Sequence, residues 1–270
     1  MTTLSSVNKS LSIPSLFSLS IGVTTDVGMK RQKNEDSVFA DSQLGLFIVA
    51  DGMGGHQGGA TASRIAIEAI SECIESELTH PPVGPATALS RAIQLANSRI
   101  HAQSELIPEL KGMGTTTVAA LFHSNRLFLG HVGDSRCYFI RPGAIWQITP
   151  DHSFIQEQVR AGLMSRSHAE TSIGKNVITR CVGYYPTTEV DLFEMNITPH
   201  DLFLLCSDGL SGMLNDSEIL HLIEQARSQS KSLQEITQIL IQAANEKGGV
   251  DNISSILIQP VFSHHSASAP

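Results

Sequence analysis

LFIVADGMGGHQGGATAS, residues 46 to 63, decides how the rest of the chain is read. An apolar run of strand length, Leu46 to Ala50, ends in a lone carboxylate, Asp51. Glycines and one histidine then pass before helix-forming residues begin. The pattern is strand, loop, helix. A carboxylate at the carboxyl end of a buried strand is costly unless a cation or strong donors meet it, so Asp51 calls for a cation. Gly52, Gly54, Gly55, Gly58 and Gly59 let the backbone come close to a ligand. His56, among them, is able to move a proton near neutral pH. Taken alone, the stretch fits a glycine-rich strand-to-helix turn with an Asp cap equally well.

Upstream, residues 1–18 are Ser/Thr-rich, with Pro14 interrupting any helix, and read as a flexible arm. A strand begins over Leu19 to Val23, and Thr25 to Gly28 form a turn. Arg31 then precedes the acidic pair Glu35-Asp36, which on its own fits a solvated turn. A short strand, Ser37 to Ala40, leads through a hairpin turn into Leu46. Downstream, Ile65, Ala66, Ala69, Ile70, Cys73 and Ile74 recur at helical spacing. After the break HPPVGP, Leu89, Ala92, Ile93, Ala96 and Ile100 do the same. TTTVAALF, RLFLGHVG, RCYFI and AIWQI follow with the spacing of an antiparallel meander. Residues 151–185 carry one short helical pattern and then polar sequence, and read as a mobile surface insert. Strands return at Glu189 to Asn196 and Asp201 to Cys206. Asn215 with Glu218, and Ser232 with Glu235, have the spacing of capping boxes that open two more helices. Ile253 to Val261 closes the fold, and residues 263–270 read as a loose tail. Helices grouped in pairs around runs of strands do not give a doubly wound parallel sheet. We expect an α+β fold, a four-layer α-β-β-α sandwich of two antiparallel sheets flanked by helix pairs, over residues 19–262.

The chain has 270 residues and an ordinary apolar share, which suits one large domain with a full core. Its net charge of -8 and lack of a Lys/Arg cluster argue against nucleic-acid and anionic-membrane binding, and an acidic balance suits cation sites. Cys73, Cys137, Cys181 and Cys206 form no CxxC pair and read as reduced core residues, without disulfides. The N-terminus lacks a signal-peptide core, and no run approaches the roughly 18 apolar residues that span a bilayer. The expectation is a cytoplasmic monomer.

Three aspartates share one context: Asp51 after FIVA, Asp208 after FLLCS, and Asp251 before NISSILI. Each stands where a strand meets a loop, so a sandwich gathers them at one rim. Gathered carboxylates require cations, and hard ions such as magnesium or manganese suit oxygen ligands. No HExxH or CxxC pair supports zinc. Two such ions lower the pKa of a bridging water and hold a phosphoryl group for in-line attack. On this reading Arg31 clamps the phosphate by its planar fork and His56 protonates the departing alkoxide.

RQKNED (31 to 36), VADGMGGH (49 to 56), MGTTT (113 to 117), HVGDSR (131 to 136), DHS (151 to 153), ITRCVG (178 to 183), CSDGL (206 to 210) and GGVDNIS (248 to 254) resemble, in order, the motifs of the metal-dependent protein phosphatases of type 2C, most closely the compact bacterial members. The resemblance implies a serine/threonine phosphatase acting on phosphorylated proteins, including a Ser/Thr kinase or its substrates, with two manganese or magnesium ions. It implies that Asp51 bridges both ions with the carbonyl of Gly52 on the second, and that Asp208 and Asp251 complete the first site. Glu35 or Asp36 serves the second directly or through water, and Asp134 with Asp208 forms a third, weaker site. Arg31 matches the phosphate-binding arginine, His56 the general acid, and residues 151–183 the flap beside the active site. Two other readings keep the scaffold: a catalytically silent phosphoprotein-binding module, and a phosphatase dedicated to one regulatory pathway. Asn252, Ser135, His131 and His152 are read as structural rather than as ligands.

Overall fold

The computed structural model describes residues 17–54, 58–79, 83–165, 168 and 177–262. The arm up to residue 16, the tail from 263, His56 and most of the expected flap tip lie outside the described residues.

Two antiparallel sheets form the centre. One has the order β1 (Phe17–Asp26), β11 (Ile253–Phe262), β10 (Leu202–Cys206), β7 (Arg136–Arg141), β8 (Ala144–Gln147). The other runs β2 (Asp36–Asp41), β3 (Leu46–Met53), β5 (Thr117–His123), β6 (Arg126–Val132), β9 (Asp191–Asn196), with the short β4 (Gly114–Thr115) pairing the end of β3. Helices α1 (Gly58–Glu77) and α2 (Pro85–Leu106) cover the second sheet, and α5 (Asp216–Ser228) and α6 (Leu233–Glu246) cover the first. The short helices α3 (Phe154–Arg160) and α4 (Asp208–Ser211) lie between. The expected four-layer α-β-β-α arrangement is the observed one.

Side-chain alternation explains how the layers hold. Along β3, Leu46, Ile48 and Ala50 pack under α1 and α2, while Phe47 and Val49 face the opposite sheet. A strand buried on both faces reads as a continuous apolar run, as this one does. Between the sheets Phe47 meets Phe122 edge-on at 5.7 Å, and Phe122 meets Phe203 at 5.6 Å. Each such ring contributes about 1.5 to 3 kcal/mol by burial. Both anticipated capping boxes are complete: Asn215 with Glu218 opens α5, and Ser232 with Glu235 opens α6.

Several boundaries differ from expectation: β9 starts at Asp191 and β10 at Leu202, each slightly later than expected. β1 extends over ten residues because all of it pairs with β11. β11 correspondingly reaches Phe262. β2 begins at Asp36, which is a buried strand residue and not part of a solvated turn. The two roots of the insert are tied together: Thr179 N–H donates to His152 C=O at 2.8 Å, and Ser153 bridges Ile178. β1, β3 and β10 end, and β2 and β11 begin, at one rim of the sandwich.

Candidate metal centre

At that rim the inner layer changes from hydrocarbon to oxygen. Asp51 continues the inward row of Phe47 and Val49, so its carboxylate points between the sheets. In the β2–β3 register Asp36 lies directly opposite it. Two like charges facing each other across a strand pair are destabilising unless something neutralises them. Asp36 Oδ2 accepts from Ser207 Oγ at 2.8 Å and Ser254 Oγ at 2.7 Å, both from the other sheet, which pins the two sheets together here. Asp208, the first residue of α4, comes within hydrogen-bonding reach of the Asp51 carboxyl.

Burial is the first cause that pushes these carboxyls up, and their mutual repulsion is the second. Asp51 stands well above the usual carboxylate range through desolvation and the charges of Asp36, Asp208, Asp134 and Asp251. Asp36 is pushed up to about 6 and Asp134 to about 8, and Asp208 is also raised. Asp36 Oδ1, Asp134 Oδ1 and Asp208 Oδ1 are buried without a hydrogen-bond partner. Orphaned carboxylate oxygens in one cluster are the donor set that a hard divalent cation requires. Among the described residues no three of these groups already close on one point as a cage.

A second group of oxygens gathers at the start of α1. A Cβ on Gly59 would stand 2.6 Å from the carbonyl oxygen of Gly52 and 2.7 Å from Glu35 Oε2, so glycine alone fits and both oxygens converge on its position. Burial raises the Glu35 carboxyl as well. The residues therefore fit one ion among the aspartates and another beside Glu35 and Gly52.

Asp251 carries a different load. Its Oδ2 accepts from Arg31 at 2.7 Å and its Oδ1 from the backbone N–H of Asn252 at 2.8 Å. The expected ligand and the expected phosphate clamp are thus bound to each other, on an exposed arginine. Asn252 has the structural role expected of it: its Oδ1 accepts from Glu35 N–H, and its Nδ2 donates to the carbonyls of Val27 and Lys33. Ser135 likewise bonds Thr116 at 2.7 Å. Neither His131 nor His152 touches the cluster in a ligand's manner. Burial lowers His131 to about 3, and its ring lies 4.6 Å from that of His152. His152 Nδ1 accepts from Gly133 N–H, which leaves its proton on Nε2, facing Asp191 at 3.1 Å.

The hydroxyls that support Asp51 and Asp36 lie outside the residues expected at the site. Thr116 Oγ1 accepts from Asp51 N–H at 2.9 Å, while Thr116 N–H and Thr115 Oγ1 both donate to Asp51 C=O at 2.8 Å. Thr116, Ser207 and Ser254 are fully buried. Thr116 and Ser207 sit at strand ends and Ser254 inside a strand, each next to another polar residue, so the sequence carries little signal of their burial.

The profile described as Protein phosphatase 2C matches residues 29–256. The serine/threonine protein phosphatase PstP of Mycobacterium tuberculosis is 40% identical over 201 residues, 74% of this chain, and the match spans only 38% of PstP's length. The serine/threonine phosphatase stp of Listeria monocytogenes is 37% identical over 77% of this chain and 84% of its own. Among solved structures, M. tuberculosis PstP/Ppp superposes with a TM-score of 0.82 at 37% identity, covering 90% of this chain and 98% of that one. The catalytic domain of PstP in complex with two manganese ions gives 0.80 at 37%, over 91% and 99%. With a profile match over most of its length and relatives at this identity, the chain belongs to the protein phosphatase 2C family.

Proposed function

We propose that this chain is a manganese- or magnesium-dependent phosphatase of phosphoserine and phosphothreonine in proteins, including those modified by a Ser/Thr kinase. The observation that carries the reading is the buried cluster of Asp36, Asp51, Asp134 and Asp208, whose mutual repulsion a divalent cation would relieve. Asp51, a member of the aspartate cluster and the residue before Gly52, is assigned to both ions. Asp208 and Asp251 are assigned to the first, and Gly52 C=O with Glu35 to the second. Asp36, opposite Asp51 in the β2–β3 register, is assigned to the second ion through water, and Asp134 with Asp208 to a third, weaker position. When bound, the ions supply a water of lowered pKa and offset the charge that builds on the phosphoryl oxygens.

The chain's own residues do the rest. Arg31 takes two phosphate oxygens by its fork once Asp251 releases it. His56 donates its proton to the departing serine or threonine oxygen. Neither role creates a bond between enzyme and phosphate. Hydrolysis of p-nitrophenyl phosphate and of a phosphothreonine peptide, with and without manganese, tests the whole reading. Turnover that appears with the ion and vanishes with a chelator is expected. No metal-dependent turnover of either substrate would leave a silent phosphoprotein-binding module.

Two variants test the assignments. Arg31→Ala is expected to raise KM for the phosphopeptide about tenfold, with a smaller loss of kcat, because it removes binding present before the transition state. An unchanged KM would count against the clamp. His56→Ala is expected to slow alkyl phosphates about 100-fold and aryl phosphates much less, since a phenolate leaves without protonation. Equal losses on the two substrate classes would remove His56 from the acid role.

A further inference from the structure

A groove of about 500 Å³ opens between the end of β1, the following loop and the last turns of α6, lined in part by Asp26, Met29, Ile241, Gln242, Asn245 and Glu246. Its place matters. Met29 lies two residues before Arg31, and its N–H donates to the Gly249 carbonyl at 2.7 Å, two residues before Asp251. The groove therefore adjoins the rim that carries the carboxylates, on the side of α6. Met29 is 65% exposed, whereas Ile241 forms part of the core beneath. The volume lies in the range of pockets that hold small ligands or several side chains.

Its charge is one-sided. Asp26 Oδ1 accepts from Gly28 N–H and from Asn245 Nδ2, and Glu246 Oε1 accepts from Gln242 Nε2. Among the described residues neither carboxylate has a cationic partner, and no lysine or arginine lines the groove. An apolar floor under two carboxylates matches a side chain with a hydrocarbon stem and a cationic head.

We propose that this groove binds a lysine or arginine of the phosphoprotein substrate, close in sequence to the phosphorylated residue held by Arg31. The inference rests on the phosphatase reading above and names the class of sequence that reading leaves open. A basic flank and a phosphate then occupy adjacent sites of opposite sign, Arg31 for the anion and Glu246 with Asp26 for the cation. Acidic flanks meet like charge and are disfavoured.

The test compares two fluorescent phosphothreonine peptides, one flanked by arginines and one by glutamates, for kcat/KM and for Kd by anisotropy, beside p-nitrophenyl phosphate as a substrate without flanks. The wild-type protein is expected to favour the basic peptide about fivefold, as a partly exposed charge pair allows. Glu246→Lys is expected to abolish or invert that preference and leave p-nitrophenyl phosphate turnover unchanged. It places a cation at a helix C-terminus, where the helix dipole favours it, so folding is retained. Met29→Ala is expected to weaken the basic peptide and leave the acidic one unchanged, because only the basic side chain lies against Met29; equal weakening of both would count against the groove. A ratio that stays the same in Glu246→Lys, or that is absent in the wild-type protein, overturns the groove. Loss of all turnover with the Kd ratio and its inversion intact overturns the phosphatase reading and upholds the groove.

Discussion

Asp51→Asn, assayed at saturating manganese, is expected to lose phosphatase turnover by about a thousandfold or more, in line with the several kcal/mol of charge stabilisation that bound ions supply. The loss follows from position. Asp51 is the only carboxylate that continues the inward row of β3, it faces Asp36 across the strand pair, and it lies within reach of Asp208. An amide in its place would present one neutral oxygen where the proposed reading needs an anion for both ions. The fold should survive, because the bonds that hold residue 51 run from its backbone to Thr115 and Thr116. Asp208→Asn should behave alike. Kinetics beside calorimetric manganese titration and circular dichroism provide the check. A folded Asp51→Asn protein with kcat within tenfold of wild type and unaltered manganese affinity would break the assignment.

Without metal, the protein is expected to lose stability as pH rises from 6.5 to 8, by about 2 kcal/mol and about 5 °C in Tm. The sign follows from the buried acids. Asp134, raised to about 8, and Asp51, raised well above its ordinary value, bind protons more tightly folded than unfolded. Their contribution is fully present below the unfolded carboxylate pKa and is lost as pH passes through the folded values. Below about pH 6.5 the buried His131 and His152 act in the opposite sense, because each is lowered by burial and must charge on unfolding. The neutral-to-basic window therefore isolates the carboxylates. Thermal melts in chelator across this range should slope downward, manganese should reverse the slope, and Asp134→Asn should make it shallower. A level profile in chelator would show that the acids do not repel one another as described.

Much of this was legible before any coordinates. Continuous apolar runs marked strands buried on both faces, and paired helical patterns between runs of strands excluded a parallel sheet. Asp51, Asp208 and Asp251 announced themselves by sitting where hydrophobic runs stop. Asp36 was harder to place. Beside Glu35, Lys33 and Asn34 it looks solvated, and only its register against Asp51 and the bonds from Ser207, at the end of β10, and Ser254, in β11, reveal a buried residue. That information is tertiary, since β2 and β10 belong to different sheets. The pairing of Arg31 with Asp251 was likewise invisible, because 220 positions separate them and each had been assigned to a different partner.

That pairing bears on the roles proposed above. If Asp251 holds an ion and Arg31 a phosphate, each must give up the other as partner, so the ion and the phosphate would strengthen one another's binding by the same factor, as reciprocal linkage demands. The pair is partly exposed, so the coupling would be modest and screened by salt.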